Sequence, residues 1–301
     1  MKQFYLYLLV VPFLWLSSCV SLKTVNTFSK AAVVSLQQHK TLPITFTTLY
    51  QQRVQDDSLD RHPFKKIPLI GIDFTERVRY DSLRSYQVAD SLLRNGNQLL
   101  IDYFQAIAAF SDPSGSFVPV RLKSASFDSF LQNSAIKLTS AETASFNRTA
   151  NLLGSSATGA YRRRKLVDLL ENSHTDVQKM LAVLAFSYER LAEVTDISRE
   201  QQYGHYKTVL IQDPTLTYLQ KRTLAQQWLL TAGDMAKKRQ AIHVHVKTLR
   251  TVSAGFDDLY QQRQQWKTKA FFASVSTYLT TLQQLQSDLE QLTPVYGRLH
   301  P

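Results

Sequence analysis

The chain has 301 residues, 44% of them hydrophobic and 20% charged, and its 35 Lys and Arg outnumber 24 Asp and Glu for a net charge of +11. That length is enough to bury a core. The single cysteine, Cys19, excludes an intrachain disulfide and any zinc site built on several thiolates, so packing must hold the fold together.

At the N-terminus Lys2 precedes an apolar or aromatic run from Phe4 to Leu16, interrupted only by tyrosine hydroxyls and Pro12. A helix needs ~20 apolar residues to cross a bilayer core. This run is shorter, and its order of a positive charge followed by an apolar stretch is that of an export signal. It closes on Leu16-Ser17-Ser18-Cys19. An ordinary cleavage site wants small side chains one and three residues before the cut, and Leu16 does not suit a cut after Ser18.

Leu16-Ser17-Ser18-Cys19 resembles the lipobox of bacterial lipoproteins, a Leu and two small residues ahead of Cys. The resemblance implies a diacylglycerol on the Cys19 thiol, cleavage between Ser18 and Cys19, and palmitate-type acyl chains as membrane anchor. More than one buried acyl chain gives durable attachment. The resemblance extends to the signal alone, and residues 20–301 carry no family motif. The expected organisation is a signal peptide over 1–18, a short tether over 19–25, and one helical domain over 19–301. Val20 stands where an Asp would hold a lipoprotein at the inner membrane, which points to the outer membrane of a two-membrane envelope.

The mature chain has helical periodicity nearly throughout. Phe271, Val275, Tyr278, Leu282, Leu285, Leu289 and Leu292 alternate spacings of four and three, the seam of a coiled coil. Trp228, Met235, Ile242, Leu249 and Phe256 recur at every seventh position, as do Leu170, Val177, Leu184 and Leu191, and Tyr86, Leu93, Leu100 and Ile107. The residues between are mostly Gln, Ser, Thr, Lys and Arg. The pattern predicts an all-α fold, an elongated bundle of long amphipathic helices with coiled-coil-like packing.

Breaks are few. Pro43 suggests a helix restart. Pro63, Pro68 and Gly71 predict an irregular loop near 60–80, and Pro113, Gly115 and Pro119 another near 111–122; within these, 69–74 and 117–122 could be extended. Asp213-Pro214 ends a long helix, with the next starting at Pro214 or Thr215, and Gly255 marks a turn or a tolerated break. Lys40-Thr41-Leu42, Phe46 and Leu49 to Arg53 are echoed by Arg250-Thr251-Val252, Phe256 and Leu259 to Arg263, each copy read as opening an outgoing helix. The offset lies far outside solenoid repeat lengths, which favours common packing chemistry over duplication.

No constellation of residues carries a catalytic signature. Gly154 to Gly159 has the glycine spacing of a P-loop, but Ala160-Tyr161 stands where Lys and Ser or Thr are needed. His243 and His245 lie two apart, about 200° around a helix, and cannot share an ion, which predicts solvated or half-buried side chains and no metal site. The other histidines, 39, 62, 174, 205 and 300, have no acidic or histidine partner at ligand spacing. Asp56-Asp57 and Asp257-Asp258 are adjacent, so their carboxylates diverge and read as helix-end charges. Neither a metal nor a cofactor is expected beyond the lipid on Cys19.

Basic clusters are the remaining signal. Arg162, Arg163, Arg164 and Lys165 crowd the start of a predicted helix, where acids would suit the helix dipole. They are candidates for contact with an anionic lipid or cell-wall polymer. Lys237-Lys238-Arg239 is a second cluster, and export disfavours nucleic acid as partner of either. The sequence therefore points to a non-enzymatic envelope lipoprotein with a structural or scaffolding role, contacting a helical protein or a second copy of itself. The alternative is a ligand-binding or membrane-active protein in which Leu99 to Phe110 and Leu153 to Ala160 move or insert.

Overall fold

The computed structural model describes residues 19–52, 69–112, 162–266 and 268–292. Among the described residues five helices are packed side by side: α1 (Cys19–Gln37), α2 (Leu69–Phe110), α3 (Arg162–Gln212), α4 (Tyr218–Gln261) and α5 (Lys269–Leu292), with a 3-10 turn at Gln38–Thr41 and a further helical start at Phe46. No strand occurs among the described residues. The protein is an all-α helical bundle.

Each apolar repeat becomes the buried stripe of one helix, apart from its members Tyr86, Trp228, Tyr278 and Leu292, which are half-buried. α1 buries Val25, Phe28, Ala32 and Leu36; α2 buries Leu92, Leu93, Leu100, Tyr103, Phe104 and Ile107; α3 buries Leu170, Val177, Leu184 and Leu191. Met235, Ile242, Leu249 and Phe256 face the core from α4, and Phe271, Val275, Leu282, Leu285 and Leu289 from α5. Phe28, Tyr103, Phe104 and Phe256 meet edge-to-face at the centre, with centroids 5.5 to 6.2 Å apart. That geometry sets the positive edge of one ring against the negative face of the next. Gly255 lets α1 and α4 close on this cluster, since a Cβ there would lie 2.5 Å from Phe28 Cε2.

Polar links fix the directions of the helices. Asn26 Nδ2 donates to the Ala108 carbonyl at 2.6 Å, so the start of α1 lies beside the end of α2. Asn97 pairs with Tyr188 and Tyr103 with Ser173, setting α2 antiparallel to α3. Gln178 to Ser253, His174 to Asp257 and Glu171 to Arg263 do the same for α3 and α4. One end of the bundle, the base, therefore gathers Cys19, Ser111, Arg162 and the Gln262–Trp266 turn.

At the opposite end α3 and α4 run on past the core as an arm. Asp213 closes its tip, its carboxylate accepting from the Thr215 amide and hydroxyl at 2.8 and 2.6 Å. Thr217 caps α4 in a reciprocal pair with Gln220.

Four expectations need correction. Residues 69–80 are helical, not a loop: Gly71 costs a helix only ~1 kcal/mol, and Ile70, Phe74 and Val78 already have helical spacing. The stretch 19–25 is no tether, because α1 begins at Cys19 and its Val25 is fully buried. α4 starts at Tyr218, three residues after Thr215, where Thr217 supplies the cap. Gly255 lies inside α4 as a point of close approach rather than a break. The predicted loop at 113–122 lies outside the described residues.

Candidate functional site

Cys19 is the first residue of α1, and Ser18 lies outside the described residues. Arg162, Arg163, Arg164 and Lys165 form the first turn of α3, immediately before Leu166, which is fully buried. Since the starts of α1 and α3 share the base, residues 143 positions apart in sequence lie at the same end of the bundle. Helix direction brings them together, and nothing in the spacing announces it. The other basic cluster is largely neutralised: Lys238 pairs with Asp234 and Arg239 with Asp196, each at 2.7 Å.

A cleft of about 550 Å³ opens at the other end of the core, at the foot of the arm. It is lined from the α1 side by His39, Lys40, Leu42, Ile44 and Thr45, from α2 by Asp90, Leu93, Arg94, Asn95 and Gln98, and from α3 by Tyr188 and Leu191. Asp90 holds its rim in place, Oδ1 and Oδ2 accepting from the amides of Phe46 and Thr47 at 2.8 and 2.9 Å. The carboxylate thus caps the helical start at Phe46 from another helix. His39 Nδ1 lies 2.9 Å from the Leu36 carbonyl, which can only accept, so Nδ1 carries the proton. Burial, with Lys40 and Arg94 nearby, lowers the proton affinity of the His39 ring despite that bond.

Behind the cleft the polar groups are sealed in. Asn97 donates to the Tyr188 hydroxyl and the Leu93 carbonyl, while its Oδ1 is left without a partner. His245 is fully buried against the edge of the Tyr188 ring, and neither ring nitrogen has a hydrogen-bond partner. Burial lowers its pKa to about 3 and keeps it neutral. The expectation of a solvated or half-buried pair therefore holds for His243 but not for His245, whose register on α4 coincides with the core stripe.

His174 also departs from expectation. Its Nε2 lies 2.8 Å from Asp257 Oδ1, and its ring stacks on Tyr260 with centroids 4.0 Å apart. Spacing along one helix could not reveal this pair, because its members lie 83 residues apart on antiparallel neighbours. Asp258, the other acid of the adjacent pair, accepts from Gln262 and Ser274. Among the described residues no group of three or more His, Cys, Asp or Glu side chains is arranged to hold a metal ion. Asp56, Asp57, His62, His300 and the Gly154–Gly159 stretch lie outside the described residues.

Five other apolar side chains are conspicuous for the water they face. Ile211, Tyr218, Leu219, Leu229 and Leu230 all stand open on the arm, Tyr218 80% exposed and Leu230 76%. Comparison with known proteins finds no matching family model, no similar curated protein and no similar solved structure.

Proposed function

We propose that this chain is a lipoprotein of the bacterial envelope, anchored by acyl chains on Cys19 and acting without catalysis as a scaffold or adaptor through helical packing. The observation that carries this reading is the shared location of Cys19 and the Arg162–Lys165 turn at the base. Acyl chains at that end set the basic turn against anionic headgroups or cell-wall polymer, and a lipid plus a basic patch is a stronger attachment than either alone. The arm then points away from the membrane, with its bare apolar residues offered to a helical partner or a second copy. Val20 after the cysteine favours the outer membrane.

The test is twofold. Metabolic labelling with palmitate should mark the wild type, whereas Cys19→Ala should remain an unlabelled, uncleaved precursor. Reversing Arg162, Arg163 and Arg164 to Glu should weaken attachment to phosphatidylglycerol vesicles at low salt, and wild-type attachment should fall steeply with ionic strength. Equal binding by the triple variant would remove the cluster from the account; a labelled Cys19→Ala protein would remove the anchor.

A ligand-binding role is the second reading, favoured by the cleft at the foot of the arm. Membrane insertion by Leu99–Phe110 has no such support, because these residues supply Leu100, Tyr103, Phe104 and Ile107 to the centre of the core.

A further inference from the structure

The cleft at the foot of the arm contains two cations without a counter-charge in contact. Lys40 and Arg94 both line it, and neither side chain makes a hydrogen bond or ion pair among the described residues. Asp90 is the only acid among the described lining residues, and both its oxygens are occupied by the Phe46 and Thr47 amides. Asp102, about two turns beyond Arg94 along α2, lies close enough to Lys40 to feel its charge, but it accepts from Gln98 and burial raises its proton affinity. The apolar part of the lining is made by Leu42, Ile44, Leu93 and Leu191.

We propose that this cleft binds a soluble organic anion, a carboxylate or phosphate monoester on a short apolar chain, with the anionic group between Lys40 and Arg94 and the chain on the leucine wall. The two halves of the lining argue for both parts of such a ligand. Lys40 and Arg94 are exposed, so salt screens their pull, and an inorganic anion alone gains little from them. Each methylene laid on the wall strengthens binding by roughly threefold to fourfold. The volume suits a small molecule. The site lies a full α1 length from the base, 19 residues or about 28 Å, out of reach of headgroups at that end. It therefore does not depend on the anchor reading.

Binding is coupled to a proton on His39. An anion between Lys40 and Arg94 offsets the two charges that help depress this ring, so the bound state holds the proton more tightly and affinity rises as pH falls. The other groups around it do not interfere: Asp90 is capped, Asp102 is tied to Gln98, and His245, within its electrostatic reach, stays neutral down to about pH 3.

Titration calorimetry on the full chain in lipid nanodiscs, with empty discs as blank, tests the proposal using octanoate, octyl phosphate, octanol and inorganic phosphate. Octanoate and octyl phosphate should bind one to one, at least tenfold more tightly than octanol, with no saturable binding of phosphate. Lys40→Gln and Arg94→Gln should each weaken octanoate at least threefold without altering the helical circular dichroism. Binding should tighten between pH 7 and pH 6, and the His39 ring resonance should titrate at higher pH when octanoate is present. Octanol matching octanoate, unchanged affinity in both variants, no saturable octanoate binding, or a response only to phosphatidylglycerol vesicles would each overturn it.

Discussion

His245 is neutral because the fold leaves it no alternative. Its ring lies in the core beside Tyr188, without a partner for either nitrogen, and its pKa falls from 6.5 to about 3. Below pH 6.5 the unfolded chain takes up a proton that the folded chain refuses, so stability is lost as pH drops from 6.5 towards 3 and is unaffected above that window. The loss is about 1.4 kcal/mol per pH unit, or about 2 kcal/mol at pH 5. His245→Leu should flatten this slope in urea unfolding measured at pH 7 and pH 5, and parallel profiles for both proteins would refute the assignment. Glycines give a second contrast. Gly255→Ala should destabilise by about 1–3 kcal/mol because its Cβ would press on Phe28. Gly204→Ala and Gly233→Ala, with nothing within 4 Å of the new carbon, should instead stabilise by about 0.5–1 kcal/mol. Thermal unfolding of the three variants decides the matter. What separates the three glycines is a neighbour from another helix, which the sequence does not show.

At the level of elements, α5 follows its seam most closely. Leu282 is buried at the middle of it, and Leu282→Asp should cost several kcal/mol by desolvating an unpaired carboxylate, enough to unfold a marginal bundle. An unchanged denaturation midpoint would mean that α5 does not pack as described. The seams were readable in the sequence because a helix repeats its buried face every 3.6 residues, and that regularity survives polar neighbours. Ends and breaks were less readable. Pro68 and Gly71 looked like loop punctuation, yet α2 runs through Gly71 as one helix from Leu69. The echoed segments illustrate the same difficulty. Leu49 follows a helical start at Phe46, whereas Leu259 stands near the end of α4, although both are buried. Similar residues thus serve opposite ends of helices, which suits common packing chemistry. The cleft was not readable at all, because its lining is gathered from segments far apart in the chain and includes Leu93 and Leu191, which spacing assigns to core.

The whole molecule is governed by the length of α3, whose 51 residues reach about 77 Å. A compact chain of this size would have a radius of gyration of about 19 Å. Small-angle scattering should give a clearly larger radius and a maximum dimension of roughly 80 Å or more, and a globular profile would mean the arm folds back. Because Leu229 and Leu230 are exposed on that arm, changing both to Gln should leave stability within about 0.5 kcal/mol of wild type in urea, while abolishing any self-association seen in sedimentation. The base imposes a different constraint, one of timing. A peptidase cutting before Cys19 needs extended backbone on both sides of the bond, yet the folded chain is helical from Cys19 and sealed into the core by Val25 and Phe28. In the proposed lipoprotein, maturation and completed folding are therefore competing events. Acylation and cleavage must finish while α1 is still undocked, so α1 seats only after the cut, and a chain that seated it early would hide its own scissile bond and remain a precursor.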